Sequence, residues 1–488
     1  MKDANNTQNT ISIRLSGEVS TKSSNTRRRF HQRLIQNIKD ALKREGIKNR
    51  VFDNWYRIDV ECDDPRAKDV LSRVFGVQML NDAYEVQYTS LENLVEQTIP
   101  FFKEQVRGKK FAVRTRRAGQ REAMAFTSLE LDRAVGSALY DFSSGVSLDH
   151  PEITVGIEVR SDRALFHIGD LKGPGGLPCG VEGRALSLIS GGFDSALSSW
   201  LMMRRGVDLD YLFFNLGGPE HTRNVITVLK RLTDKWAFGH SPKLNVVDFR
   251  PVVAEMKERC PKKYWQILLK HHMFRAAQYL VQHTRRHLGI VTGEAIGQVS
   301  SQTLSNLGAI EAGLSIPIFR PLVTYNKDEI IEQAKRIGTH RVGESFPEFC
   351  DLAGGRVATK VSPDELAKYT QEVSEETMMQ VVHQRRIFKC SELSLDLVED
   401  VTIPEVPEGA TILDLREPHH IEREPVEGAI AIGFDVALEQ AQLLPKGPVY
   451  VVICQVGLKS AYVAEIMRAM GHQVYSLKAK LEKIDPRD

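Results

Sequence analysis

The sequence predicts a multidomain protein that combines α+β and α/β domains. The chain has 488 residues, which at roughly 100–200 residues per domain allows three or four domains. Hydrophobic residues make up 42% and charged residues 26% of the chain, as in globular proteins, so disordered and fibrous classes are excluded. Beyond residue 171, apolar runs typical of strands alternate with helical segments. This alternation predicts a doubly wound parallel sheet.

The first predicted domain is a small α+β unit over residues 1–60. Residues 11–16 alternate apolar and polar side chains, which indicates a half-buried strand. In the next segment four apolar residues recur at every fourth position, among many basic ones: Phe30, Leu34, Ile38 and Leu42. This spacing predicts an amphipathic helix with one core face and one cationic face. A second strand is expected where Tyr56, Ile58 and Val60 alternate.

A second domain is predicted over residues 61–170. Asp63-Asp64-Pro65 is a helix start signal, and Gly76 ends that helix. Strands are expected at about 111–117 and 153–160, with a helix from Ser128 between them. The glycine- and proline-rich stretch 172–178 then indicates a domain boundary near residue 171.

The third predicted domain, residues 171–395, holds the doubly wound sheet, with strands at 186–189, 211–214, 244–247 and 288–292. Around residues 391–408 the sequence becomes acidic and contains two prolines. A small α/β domain, residues 400–488, is expected after that, with strands at 411–415 and 449–454.

Charge is distributed unevenly along the chain. Residues 26–50 carry nine Lys/Arg against two acids and residues 103–121 carry eight against one, whereas residues 391–488 carry nine against seventeen. A basic front end favours contact with a polyanion such as nucleic acid, although a solvated cationic face is the alternative. The chain has no run of about 18 apolar residues and its N-terminus lacks a signal peptide core. A cytoplasmic protein with no membrane partner is therefore expected.

Six cysteines are too few for a disulfide scaffold, and no two of them form a C-x-x-C pair. A cysteine with a chemical role in this chain is therefore expected to be catalytic or redox-active rather than a metal ligand. The sequence alone predicts no metal site built from protein ligands. The usual alternative for any one cysteine is a small buried hydrophobe.

The segment from Leu188 to Ser195, LISGGFDS, carries the clearest chemistry. An apolar strand runs into a glycine turn and then a helix. The glycines Gly191 and Gly192 let the backbone approach a ligand, while helix amides and the hydroxyls of Ser190 and Ser195 can bind phosphate. The chain lacks the G-x-x-x-x-G-K-[ST] pattern of Walker-type sites. The local pattern therefore predicts a phosphate-binding loop.

This loop resembles the pyrophosphate loop of ATP pyrophosphatases. With the segments 213–218, 269–273, 291–303 and 320–322 and with Lys327, it resembles the tRNA 4-thiouridine synthetase family. The resemblance implies that Leu188, Ile189, Lys270, Gly293 and Gln302 line the ATP site. It also implies that Asp194 and Lys327 serve adenylation, with Mg2+ accompanying ATP.

The basic segment Phe111–Arg117, with Phe126 to Arg133, resembles the THUMP domain of tRNA-modifying enzymes, which in that family follows a ferredoxin-like domain. On a strand, Arg114 and Arg116 face the same side, as phosphate contacts require. The tRNA contacts implied are Arg114, Arg116 and Arg117. A charged, solvated edge strand is the alternative for any one of them.

Residues 452–460 resemble the active-site loop of rhodaneses, with Cys454 between a strand and a helix. Backbone amides, the helix N-terminus and Lys459 would stabilise a thiolate or persulfide anion there. Lys459 stands where rhodaneses generally have arginine, so bidentate binding of an oxyanion donor is not expected.

Cys350 lies in a Pro-Glu-x-Cys segment that matches the family. The resemblance implies that Cys350 forms a disulfide with Cys454 during turnover. The remaining cysteines, Cys62, Cys179, Cys260 and Cys390, are expected to be structural.

The resemblance covers the chain in the order ferredoxin-like, THUMP, pyrophosphatase and rhodanese. It implies a tRNA uracil 4-sulfurtransferase that makes 4-thiouridine at position 8, with ATP and Mg2+, tRNA and a cysteine desulfurase as sulfur donor. A sulfur-carrier protein of thiamine thiazole synthesis is a further expected partner. Two alternatives stay open: a protein that mainly carries persulfide for thiazole synthesis, and a tRNA-binding protein with a decayed ATP site. Whether the chain forms a homodimer is also open.

Overall fold

The computed structural model describes residues 10–54, 57–117, 125–160, 163–216, 218–340, 358–398, 400–455 and 457–477. The chain forms two compact units. The first comprises Met1–Glu182 with Met203–Val207 and Trp236–His240, and the second comprises the rest. Within the described ranges, none of the helices has the length and apolar character that crossing a bilayer requires.

The first unit contains a sheet whose described strands run in the order β2-β3-β1-β4-β8-β7-β5-β6. Its strands are β1 Thr10–Leu15, β2 Arg50–Asp53, β3 Arg57–Glu61, β4 Val77–Gln87, β5 Lys110–Arg117, β6 Gly145–Val146, β7 Ile153–Val159 and β8 Arg163–Lys172. Its helices are α1 Gly17–Ser20, α2 Ser24–Arg44, α3 Ala67–Leu71, α4 Leu91–Val106 and α5 Ser128–Tyr140. The predicted strands at 11–16, 111–117 and 153–160 and the helix from Ser128 are confirmed.

Two hydrophobic cores support this sheet. The four apolar residues of α2 at every fourth position are all buried in the first core, which confirms the amphipathic helix. Helix α3 also packs in this first core, through Val70 and Leu71. The predicted boundary at residue 60 would place this helix in the second domain. The second core gathers side chains of α4, α5, β5, β7 and β8. The boundaries at residues 60, 170 and 395–400 stay predictions.

The second unit opens with a six-stranded sheet in the order β13-β12-β9-β10-β11-β14. The strands are β9 Arg184–Leu188, β10 Asp208–Asn215, β11 Lys243–Asp248, β12 Ile290–Val291, β13 Ile318–Phe319 and β14 Arg386–Lys389. All pairs are parallel except β11 with β14. The predicted doubly wound parallel sheet is thereby confirmed, and its strand order reverses between β9 and β12. Such a switch point is where ligands bind in this architecture.

Eight described helices accompany this sheet. They are α6 Phe193–Arg204, α7 Gly218–Trp236, α8 Arg250–Arg259, α9 Trp265–Thr284, α10 Leu304–Glu311, α11 Lys327–Ile337, α12 Pro363–Thr370 and α13 Glu375–His383. The apolar faces of α8, α9, α10, α12 and α13 share one core with strands β9 to β12.

The C-terminal domain is a five-stranded parallel sheet in the order β15-β19-β18-β16-β17. Its strands are β15 Thr402–Ile403, β16 Thr411–Asp414, β17 Ile430–Ala431, β18 Val449–Ile453 and β19 Gln473–Leu477. Its helices are α14 Pro418–Arg423, α15 Phe434–Gln440 and α16 Leu458–Ala469. The small α/β domain predicted near the C-terminus, with strands at 411–415 and 449–454, is confirmed.

Candidate functional site

A cavity of about 180 Å³ lies at the carboxyl ends of β9, β10 and β12. It therefore occupies the switch point of the sheet. The sequence-predicted residues that line it are Leu188, Ile189, Ser190, Gly191, Gly192, Asp194, Ser195, Lys270, Gly293 and Gln302. The fold thus brings together residues that are spread over more than a hundred positions of the chain. We call this cavity the nucleotide pocket below.

The glycine turn after β9 is tightly built. Gly191 has a φ of +86°, a conformation that favours glycine. The Ser195 hydroxyl donates to the carbonyl of Gly192 at 3.0 Å, which fixes the turn against the start of α6. A side chain at Gly293 would place its Cβ 2.8 Å from the Ser195 nitrogen. Glycine at position 293 therefore lets the end of β12 approach the loop.

Asp194 in the first turn of α6 faces two polar partners. Gln298 Nε2 donates to its Oδ2 at 2.7 Å, and Lys327 Nζ lies 3.4 Å from both carboxylate oxygens. Lys327 also lies over the ring of Phe193, 4.4 Å from its centroid. The two residues predicted to serve adenylation are therefore paired with each other beside the nucleotide pocket, and Gln298 is a partner to which the sequence assigned no role.

Glu294 is a pocket residue to which the sequence analysis assigned no role. It is buried, and it accepts from Lys270 Nζ at 3.2 Å and from Arg320 Nε at 2.9 Å. Arg320 also pairs with Glu311. This network holds the Lys270 ammonium at the pocket wall. Glu294 lies within the segment 291–303 that resembles the family, but its pairing with Lys270 depends on the fold.

His221 is a second residue that sequence reasoning missed. It lies on α7, lines the pocket and is buried. Its Nε2 is 3.1 Å from the carbonyl oxygen of Ser190. Burial lowers the pKa of His221 to about 4, so the neutral ring can donate from Nε2 to that carbonyl at pH 7. No local pattern links His221 to the loop, because the two segments meet only in the folded sheet.

Cys454 follows β18 directly, and its Sγ accepts from two backbone amides. The amide nitrogens of Gly457 and Ser460 lie 3.1 and 3.3 Å from Sγ, and the Ser460 hydroxyl lies 3.2 Å from it. Gly457 has a φ of +83° at the start of α16. We call residues 454–460 the Cys454 loop. Amides converging at a helix N-terminus stabilise an anion, so the loop suits a thiolate or persulfide.

The Lys459 ammonium lies near an aromatic ring. Its Nζ is 5.6 Å from the centroid of the Phe434 ring, and the residue is exposed. The described backbone amides and Ser460 therefore provide the contacts to sulfur that the structure shows. The other predicted sulfur residue, Cys350, lies outside the described residues. The four cysteines expected to be structural, Cys62, Cys179, Cys260 and Cys390, are all buried.

The predicted RNA-contacting arginines lie on β5 in the first unit. Arg114 and Arg116 are both exposed, and Arg117 is half-buried. The Arg114 guanidinium donates to the carbonyl of Leu148 at 2.6 Å. Among the described strands, β6 pairs with β5 only at Lys110 and Phe111, so the remainder of β5 pairs only with β7. The arginines therefore lie along an exposed sheet edge. This position fits both alternatives, a contact with RNA phosphates and a solvated, charged edge.

Family models match four consecutive segments. A ferredoxin-like domain matches residues 10–80, a THUMP domain residues 88–168, the thiamine biosynthesis protein (ThiI) residues 180–375 and a rhodanese-like domain residues 402–484. The order agrees with the order expected from the sequence.

Similar proteins cover almost the whole chain. A tRNA sulfurtransferase of Desulfurococcus amylolyticus is 34% identical, covering 97% of this chain and 98% of its own. One of Pyrobaculum aerophilum is also 34% identical, over 96% and 97%. A crystal structure of a 4-thiouridine synthetase in complex with RNA and ATP aligns with a TM-score of 0.66 at 28% identity, over 78% of this chain and 99% of that one. The chain belongs to the tRNA sulfurtransferase family.

Proposed function

We propose that this protein is an ATP-dependent tRNA uracil 4-sulfurtransferase that makes 4-thiouridine at position 8 of tRNA. The observation that carries the proposal is the glycine loop between β9 and α6 at the wall of the pocket, with Asp194 and Lys327 paired beside it. A pocket lined by Lys270 and the loop amides, with Lys327 beside it, suits a triphosphate. Support comes from the structural relative that binds both RNA and ATP.

In the first step the uracil O4 attacks the α-phosphorus of ATP, and pyrophosphate leaves. The loop amides and the hydroxyls of Ser190 and Ser195 bind the phosphates, while Lys270 and Lys327 offset the developing negative charge. The Asp194 carboxylate offers the hard oxygen ligand that Mg2+ prefers, and the ion bound there would neutralise phosphate charge. The adenylated O4 is then a good leaving group.

In the second step the terminal sulfur of a Cys454 persulfide attacks C4 of the base, and AMP leaves. The Cys350 thiolate then attacks Cys454 Sγ, so that the bond between the two sulfurs breaks and 4-thiouridine is released. A Cys350–Cys454 disulfide remains, and a dithiol reductant supplies the two electrons that reopen it. A cysteine desulfurase provides the persulfide sulfur, and the amides of the Cys454 loop stabilise that anion.

Binding of the tRNA substrate needs a positively charged surface. Arg114, Arg116 and Arg117 on β5 supply cations at an exposed edge, which fits backbone contacts to folded RNA. The same Cys454 persulfide could be transferred to an adenylated sulfur-carrier protein in thiamine thiazole synthesis. The family description as a thiamine biosynthesis protein supports that second role.

The proposal is tested by following both products with radiolabelled ATP. Full-length protein, desulfurase, cysteine, a dithiol reductant and a tRNA transcript are compared with the same transcript carrying cytosine at position 8. We expect one AMP for each 4-thiouridine, and neither product with the changed transcript. Thiolation of the changed transcript would contradict the assignment of position 8, and thiolation without AMP would contradict adenylation.

A further inference from the structure

Helix α16, which follows the Cys454 loop, contacts the six-stranded sheet domain. Arg250 at the start of α8 has its NH1 3.6 Å from the Oε2 of Glu465 on α16. A Cβ added to Gly218, the first residue of α7, would come within 2.0 Å of the same Glu465 oxygen and 3.6 Å of the Tyr462 ring. Gly218 also has a φ of +72°. The close approach of α16 therefore depends on glycine at position 218.

Arg250 is held in place before it meets Glu465. Its Nε and NH2 lie 2.8 and 2.5 Å from the two carboxylate oxygens of Asp248. This bidentate contact fixes the guanidinium plane, which leaves NH1 towards α16. The side chains of Arg250 and Glu465 are only 27% and 28% exposed. Burial also raises the pKa of Tyr462.

This contact lies at the same edge of the sheet as the nucleotide pocket. Gly218 follows β10, and Arg250 follows β11, both at the carboxyl ends of the strands. His221, one turn along α7 from Gly218, lines the pocket. Two residues further along α7, Arg223 donates to the carbonyl of Val398 at 3.1 Å. Val398 lies just before the start of the C-terminal domain. Helix α7 therefore touches both the pocket and the domain that carries Cys454.

The contact also constrains the position of the reactive sulfur. The Ser460 amide that binds Cys454 Sγ is five residues from Glu465 on α16. Five residues of helix span about 7.5 Å. A contact that fixes Glu465 against Arg250 therefore also fixes the Cys454 loop relative to the edge where ATP is expected to bind.

We infer that α16 is the docking element for sulfur delivery, and that the Arg250–Glu465 pair positions the Cys454 persulfide at the nucleotide pocket. This inference rests on the proposed function. Arg250 and Glu465 are positioning residues, because neither touches the pocket lining or Cys454 Sγ in the described structure. The pair would affect sulfur transfer, the step that needs the Cys454 loop and the nucleotide pocket together. The groups that react in adenylation lie in one domain and those that react in persulfide uptake lie in the other, so the pair would not affect these two steps.

The test is a double-mutant cycle with Arg250→Gln and Glu465→Gln in the full-length protein. The rate of 4-thiouridine formation is measured in a single turnover, with Cys454 already carrying persulfide and saturating ATP and tRNA. We expect each single change to slow transfer about tenfold and the double change to slow it no further, as for two residues that act through each other. Arg250→Lys keeps the charge towards Glu465 but loses the bidentate contact with Asp248, so it should restore only part of the rate.

Two separate readouts distinguish this inference from the proposed function. Persulfide uptake by Cys454 and tRNA-dependent release of AMP should stay within about twofold of the unchanged protein in every variant. The matched control is Arg259→Gln on the same helix α8, whose guanidinium pairs with Glu255 at 2.7 Å, and it should transfer sulfur normally. Unchanged transfer in Arg250→Gln, or losses that multiply in the double variant, would overturn the inference. Absence of 4-thiouridine with the unchanged protein would instead overturn the proposed function.

Discussion

Lys327 Nζ lies 3.4 Å from both carboxylate oxygens of Asp194, although 133 positions separate the two residues in the chain. The pairing joins the start of α11 to the start of α6 beside the nucleotide pocket. It keeps an acid and a cation together where a triphosphate and its metal ion are expected to bind. Gln298 completes the arrangement by donating to Asp194, so the carboxylate has a defined orientation before any ligand arrives.

Glu294→Gln should weaken both the pocket and the fold. The change removes the carboxylate that holds Lys270 and Arg320, whose side chains are 13% and 11% exposed. The change leaves the buried Lys270 ammonium without Glu294, which costs about 3–5 kcal/mol, whereas Arg320 keeps its contact with Glu311. We therefore expect a lower melting temperature and about tenfold weaker ATP binding. Thermal unfolding and calorimetric ATP titration measure the two effects.

The matched control for that experiment is Glu311→Gln. Glu311 also pairs with Arg320, but its side chain is 39% exposed and it does not line the pocket. The Glu311→Gln variant should lose less stability than Glu294→Gln and should keep its affinity for ATP. If Glu294→Gln bound ATP as tightly as the unchanged protein, Glu294 would have no role in placing Lys270.

Acid should destabilise the protein partly through His221. Burial lowers the pKa of His221 to about 4 in the folded state, whereas the unfolded chain has the ordinary value of about 6.5. Between these values the unfolded state binds a proton that the folded state does not, so stability falls as pH drops from about 6.5 to about 4. The slope from this residue is at most about 1.4 kcal/mol per pH unit.

His221→Gln removes the titrating ring and keeps a side-chain donor for the carbonyl of Ser190. We expect its melting temperature to fall less steeply than that of the unchanged protein between pH 7 and pH 5. The buried His271 and His272 are present in both proteins, so their contribution cancels in the comparison. Identical slopes for the two proteins would show that His221 does not titrate in this range.

Ser460→Ala should slow the chemistry of Cys454 without abolishing it. The change removes the hydroxyl 3.2 Å from Sγ but leaves the amides of Gly457 and Ser460. The Ser460 hydroxyl also donates to the carbonyl of Gly457 at 3.1 Å, and a neutral hydrogen bond of this kind contributes about 0.5–1.5 kcal/mol. We therefore expect persulfide uptake to slow by about two- to tenfold, measured by mass spectrometry of the intact protein. Uptake at the normal rate would mean that the amides alone suffice.

The arginines of β5 should contribute to tRNA binding through charge. If Arg114 and Arg116 contact phosphates, each change to glutamine weakens binding at all tRNA sequences and lowers the slope of log affinity against log salt by about one. Filter binding at several salt concentrations gives this slope. Arg66→Gln serves as the control, because Arg66 is exposed in the same unit and pairs with Asp64. Equal slopes for the β5 and Arg66 variants would favour the solvated edge.

Much of the nucleotide pocket was predictable because its signal is local. The Ser190–Ser195 loop joins a strand to a helix, and its glycines and hydroxyls are adjacent in the sequence. The alternation of strands and helices likewise predicted the parallel sheet, whose switch point then falls at this loop.

The partners of those residues were not predictable. His221 reaches the carbonyl of Ser190 and Glu294 reaches Lys270 only because separate elements converge at the sheet edge. The contact between Arg250 and Glu465 joins residues more than two hundred positions apart. A single buried histidine or an ion pair across elements leaves no periodic pattern in the sequence, so only the fold reveals it.

The most direct test of the account is mass spectrometry of nucleosides from tRNA incubated with MgATP, cysteine, a cysteine desulfurase and a dithiol reductant. The unchanged protein is compared with Cys454→Ala and Asp194→Ala. We predict 4-thiouridine with the unchanged protein and none with either variant, while Asp194→Ala still takes up persulfide and Cys454→Ala still releases AMP in the presence of tRNA. No thiolated base from the unchanged protein, with Cys454 still carrying persulfide, would contradict the account and favour a sulfur carrier.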